Sequence, residues 1–126
     1  MEPKNILLIE DEDNIAFALE FLIRAMGHKP ERVADGDAAL EALSSSVPDA
    51  VVLDIMLPKR SGYEVCQMIR EEPRLKDTKI LMMTAGGGKM ERRKGMALGA
   101  DAFLTKPFAN EELRATLTGL LAGSDA

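Results

Sequence analysis

The sequence predicts an α/β fold, a doubly wound (βα)5 parallel sheet, and three observations carry that prediction. Short apolar runs alternate with longer segments of helical period, and they do so five times along the chain. The clearest runs, "NILLI" and "VVL", are apolar on consecutive residues, as strands covered on both faces require. Glycine, proline and short polar clusters stand at the junctions between runs, where the chain must turn.

In chain order, "NILLI" (5 to 9) reads as the first strand. The segment after it, "EDNIAFALEFLIRAMG", puts Ile15, Ala18, Leu19, Leu22, Ile23 and Met26 on one helical stripe and stops at Gly27, a natural helix end. "ERVA" (31 to 34) is a marginal second strand, followed by a helix through Ala38, Ala39, Ala42 and Leu43. "DAVVLD" (49 to 54) is a clear third strand; the turn "LPKRSG", punctuated by Pro58 and Gly62, leads into the helix "YEVCQMIREE". "KILMMT" (79 to 84) leads through "AGGG" into "KMERRKGMALG". "DAFLT" (101 to 105) leads through "KPF" into "NEELRATLTGLLAG", whose Glu111 and Glu112 suit the positive end of a helix.

A chain of 126 residues is most simply one domain, 1–126, long enough to bury a core. Its 46% hydrophobic and 29% charged residues are the balance of a globular protein, and no stretch approaches the ~18 apolar residues of a spanning helix. "MEPKNILLIEDED" is neither a signal peptide nor an anchor, so a cytoplasmic location without membrane attachment is expected. The net charge of −5 argues against direct nucleic-acid binding, and the basic cluster "KMERRKG" reads as a solvated helix face. Cys66, the lone cysteine, is expected to be a small buried hydrophobe. His28, the lone histidine, has no second histidine or cysteine with which to share a metal and is expected at the surface or in a turn.

In an open doubly wound sheet, ligands bind beyond the carboxyl ends of the strands. Strand one ends in Glu10 and Asp11, strand three in Asp54, strand four in Thr84 and strand five in Lys106. Three carboxylates and one ammonium leave a formal charge of −2 in one crevice, which a divalent cation would relieve. Oxygen ligands in an exposed crevice favour Mg²⁺. With the lysine and the hydroxyl opposite, such a site is built to receive a phosphoryl group, with Asp54 as the attacking carboxylate.

The motifs "LLIEDED", "VVLDIMLPKRSG", "MMTAG" and "GADAFLTKPF" resemble, in order and at strand ends, the four signatures of the receiver domains of two-component response regulators, over about residues 4 to 121. The resemblance implies the flavodoxin-like strand order 2-1-3-4-5, which alternation alone does not fix. It implies that Asp54 is the phosphoacceptor and that Glu10, Asp11, Asp54 and the backbone carbonyl of Met56 hold Mg²⁺. It further implies that Lys106 pairs with the phosphoryl oxygens, that the Lys106–Pro107 bond is cis, and that Thr84 and Phe103 form the switch, Phe103 moving inward after Thr84.

The implied donor is a sensor histidine kinase or a histidine phosphotransfer protein. The implied output is docking of a downstream protein on the face of helix four, strand five and helix five, with Lys89, Arg92, Arg93, Phe103 and the residues after Phe108. By this resemblance the protein catalyses only its own phosphorylation and dephosphorylation. Glu10 is one methylene longer than aspartate, and Phe103 lacks the hydroxyl of the tyrosine many members carry.

The glycines of "AGGG" lead to the expectation of a mobile loop and a late start to helix four. Met56 and Gly86, at positions that influence water attack in the family, offer no group to orient water, so a slowly hydrolysing phosphoryl group is expected.

Other readings fit less well. "AGGGK" lacks the earlier glycine and the Ser or Thr of a P-loop, having Met83 and Met90 there. A dehalogenase-type phosphatase would carry a second acid where Met56 stands. A degenerate receiver, acting only as a phosphorylation-independent interaction module, leaves Asp54, Asp11, Thr84 and Lys106 without a purpose. Whether the unit works alone or within a longer regulator is open at this level.

Overall fold

The computed structural model describes residues 2–86 and 88–123. Its elements run β1 (Asn5–Ile9), α1 (Asp13–Ala25), β2 (Lys29–Val33), α2 (Gly36–Ser45), β3 (Ala50–Asp54), α3 (Gly62–Glu71), β4 (Lys79–Thr84), α4 (Lys89–Ala97), β5 (Ala102–Thr105) and α5 (Asn110–Gly123). The five strands form one sheet in the order β2-β1-β3-β4-β5, every neighbouring pair parallel.

Strand alternation divides the core in two. Leu7, Ile9, Val51, Leu53, Ile80 and Met82 point to one face, where α2 and α3 close over them with Ala39, Leu43, Val65, Cys66 and Ile69. Ile6, Leu8, Val52, Leu81, Met83 and Leu104 point to the other, against Ala16, Leu19 and Ile23 of α1 and Leu113, Leu117 and Leu121 of α5. Spacings of three and four residues put each helix's buried set on one stripe. Each fully buried Leu or Ile contributes about 1.5–3 kcal/mol. Central β3 is buried on all five residues, whereas β2, at the edge, has none. Pro30 is tolerated in β2 because an edge strand has a free side.

Local signals set the helix ends. The Glu12 side chain accepts from the backbone N–H groups of Asn14 and Ile15 to start α1, and Gly27 follows its end at φ +89°. Ser61 and Glu64 form a reciprocal capping box on α3. Helix α4 starts after Gly88 with no side-chain cap, and among its residues only Gly95 is buried. The loop before it includes Gly87, which lies outside the described residues, so the expectation of loop mobility falls partly there.

Several expectations need correction. Strand β2 begins at Lys29, because the backbone pairs from the second residue after Gly27, Asn5 opposite Lys29. In α1, Ala16 is buried and Ala18 is exposed: Ala16 belongs with Leu19 and Ile23 on the inward stripe. His28 is buried, with 6% of its surface accessible, and not a surface residue. It fills the space between the end of α1 and the start of β1, and its Nδ1 accepts the Lys4 backbone N–H at 3.1 Å. That bond requires a neutral Nδ1, and burial together with the nearby Lys4 charge pushes the His28 pKa down. Cys66 is fully buried, its thiol pushed up to about 11 by desolvation, and it packs as a hydrophobe.

Candidate functional site

Parallel register decides which strand-end residues meet. Ile9 lies opposite Leu53, so Glu10 emerges level with Asp54. Asp54 lies opposite Met83, and Met83 opposite Leu104, so Thr84 stands one step beyond Asp54 and Lys106 two. The sheet therefore brings Glu10, Asp11, Asp54, Thr84 and Lys106 to one edge.

Lys106 Nζ donates to Asp54 Oδ2 at 2.8 Å and to Glu10 Oε1 at 2.9 Å. The backbone N–H of Met56 donates to Asp54 Oδ1 at 3.2 Å, and that of Glu12 to Glu10 Oε2 at 3.1 Å. Glu10 and Asp54 are both buried while Asp11 is exposed, so the group opens to solvent on the Asp11 side. Burial is the main force raising the Glu10 pKa; the Lys106 and Glu12 hydrogen bonds oppose it, and the Asp54 charge adds to it. Burial also works against the charge on Lys106, but its bonds to Asp54 and Glu10 outweigh that and push its pKa up. The ammonium therefore stays charged and holds the two acids together.

One oxygen from each of Glu10, Asp11 and Asp54 lies within 4.8 Å of the others. Three hard oxygen donors at that spacing, opposed by one ammonium, fit a small divalent cation that retains water. The Lys106–Pro107 peptide is cis.

The loop from Asp54 to Gly62 is held by backbone contacts. Gly62 N–H donates to Ile55 O at 2.8 Å, and a Cβ on Gly62 would lie 2.3 Å from Asp54 O and 2.7 Å from Ile55 Cα. Gly36 meets Arg60 as closely, and the Arg60 guanidinium pairs with Asp37 at 2.8 Å. Gly62 is therefore a close-packing residue as well as a loop punctuator, a role that no local pattern reveals. Met56 projects into solvent at 74% exposure.

On the β4 side, Thr84 is buried, and its hydroxyl donates to Glu91 Oε2 of α4. Among the described residues no hydrogen bond joins the Thr84 hydroxyl to Asp54 or Lys106; the Thr84 backbone oxygen accepts the Lys106 N–H at 2.7 Å. Phe103 is buried, its Cζ 2.1 Å from where a Cβ on Gly95 would fall, with the Arg92 guanidinium 5.5 Å from the ring centre. Sequence reading missed Glu91, which stands inside the basic cluster "KMERRKG", and missed Gly95.

A sheet of order 2-1-3-4-5 with an acidic cluster at its carboxyl edge defines the class, a flavodoxin-like α/β module. The chain belongs to the response regulator receiver domain family, whose model matches residues 6–118.

It is 42% identical over 121 residues to a ycf27 transcriptional regulator of Cyanophora paradoxa, covering 96% of this chain and 49% of that one. It is 38% identical over 121 residues to the phosphate regulon transcriptional regulatory protein PhoB of Rhizobium meliloti, covering 96% and 53%. The chain thus spans about half the length of the curated relatives it matches. Among solved structures, a response regulator from Chloroflexus aurantiacus superposes with a TM-score of 0.92 at 36% identity, covering 96% of this chain and 99% of that one. The receiver domain of a Pseudomonas aeruginosa sensor histidine kinase, solved with a magnesium ion coordinated in its active site cleft, gives 0.88 at 28% identity, covering 95% and 98%. The family is one of two-component signalling modules, not metabolic enzymes.

Proposed function

We propose that residues 1–126 act as one receiver unit that takes a phosphoryl group from a phosphohistidine onto Asp54. The observation that carries this reading is the Asp54 carboxylate at the end of β3, with Lys106 Nζ at 2.8 Å and oxygens of Glu10 and Asp11 close by. In the step, an Asp54 oxygen bonds to phosphorus while the donor's N–P bond breaks and its electron pair stays on the imidazole. Lys106 pairs with a phosphoryl oxygen, exchanging part of its contact with Asp54 for it.

Glu10, Asp11, Asp54 and the Met56 carbonyl would hold Mg²⁺, which supplies positive charge against the phosphoryl oxygens. The donor is a sensor histidine kinase or a histidine phosphotransfer protein. The phosphorylated form presents a changed α4, β5 and α5 face to a downstream protein. No described helix is long and apolar enough to cross a membrane, and a cytoplasmic site of action fits that donor.

Intact mass after incubation with acetyl phosphate and Mg²⁺ tests this reading. One added phosphoryl group is expected, absent from Asp54→Asn and from a chelated sample. An unchanged mass in the wild-type protein would leave a phosphorylation-independent interaction module instead.

A further inference from the structure

The Thr84 hydroxyl has one proton, and the structure shows where it goes. Oγ1 donates to Glu91 Oε2 and accepts the Gly86 backbone N–H at 3.2 Å. Thr84 is 3% exposed, so its hydroxyl is satisfied by the protein and not by bulk water. A phosphoryl group on Asp54 offers only acceptor oxygens, so the hydroxyl serves either that group or Glu91, never both.

Two further features fit a built contact. A Cβ on Gly86 would come within 2.8 Å of Glu91 Oε1, so the glycine leaves the room the carboxylate occupies. The first turn of α4, where Glu91 sits, is tied to α3 by the Tyr63 hydroxyl, which donates to the Glu91 backbone oxygen at 3.4 Å. On the same helix, Gly95 and Arg92 lie against Phe103. Releasing Thr84 therefore frees a side chain on the helix that covers the Phe103 ring.

We propose that Glu91 is a positioning residue that holds the Thr84 hydroxyl proton away from the phosphoryl site, so that the phosphorylated conformation forms only by giving up the Thr84–Glu91 bond. This rests on the reading of Asp54 as phosphoacceptor. The helix offers Glu91 a second, structural role, since an acid in a first turn favours the helix N-terminus. That role does not involve Thr84, and the test separates the two.

The full chain is titrated with beryllofluoride, a phosphoryl mimic, in Mg²⁺, following by NMR the amide and methyl signals of the residue at position 84. Glu91→Ala should lower the half-saturating concentration roughly tenfold, since a bond to a charged acceptor no longer has to be broken. Glu91→Gln, which keeps an acceptor oxygen, should fall between wild type and Glu91→Ala, and it carries the test if the alanine variant does not fold. In a Thr84→Val background, Glu91→Ala should shift the titration less than about twofold. Glu91 variants that match wild type, or an equal gain in Thr84→Val, would overturn the role of Glu91 alone. A wild-type chain that neither binds beryllofluoride nor gains a phosphoryl group would overturn the Asp54 reading and Glu91's role with it.

Discussion

The two walls of the crevice are built differently. On the wall of β1, β3 and β5, each oxygen of the buried pair Glu10 and Asp54 has a donor, and the following loop is locked by backbone-to-backbone approach at Gly62. On the wall of β4 and α4, the Thr84 hydroxyl is held by the Glu91 side chain and the Gly86 backbone N–H, and the helix has no side-chain cap and buries only Gly95 among its residues. A phosphoacceptor must be in place before its donor arrives, which favours rigid packing. A switch must have two arrangements close in energy, which favours few and exchangeable contacts. The Phe103 ring is buried while Thr84 faces Glu91. On the reading proposed above, phosphorylation exchanges the Thr84–Glu91 bond, with no ring to bring in from solvent.

The same substitution on the two walls breaks the comparison most directly. Gly62→Ala forces a methyl against the Asp54 and Ile55 backbone, and should destabilise by roughly 2–3 kcal/mol and impair phosphoryl uptake. Gly86→Ala meets only the flexible tip of Glu91 and should stay within about 0.5 kcal/mol of wild type. Urea midpoints and intact mass read both, and equal losses would erase the distinction between the walls.

A smaller effect sharpens what the rigid wall lacks. Met56 lies beside the proposed phosphoacceptor, exposed and without a polar group. Met56→Asn, able to orient water, should shorten the phosphoryl lifetime several-fold while leaving stability within about 0.5 kcal/mol. A lifetime equal to that of wild type would remove Met56 as its cause.

The smallest expected effect lies at the opposite edge of the sheet. His28 has a folded pKa below its ordinary 6.5, so the unfolded chain binds more protons in the window just beneath that value. Its contribution to stability is present above pH 6.5 and is lost as pH falls through 6.5 toward the lowered value. His28→Gln should remove this part of the slope in urea unfolding between pH 7 and 5, and leave phosphoryl uptake unchanged. An unaltered slope would show that other groups carry it.

The sequence by itself determined the five strand-and-helix units and the residues that arrive at the sheet's carboxyl edge, because apolar period and strand-end position are local properties of the chain. Beyond the alternation, strand order came from the motifs and was then seen in the sheet. Tertiary structure alone decided pairings: that Lys106 spans Glu10 and Asp54, that the Thr84 proton goes to Glu91 across a glycine loop, and that His28 turns inward to the Lys4 N–H. It likewise decided that Gly62 and Gly95 are glycines because other groups occupy the space of a side chain. Periodicity reports whether a residue faces the core; hydrogen bonds and close contacts depend on distances between segments far apart in the chain, which exist only once the sheet has set their register.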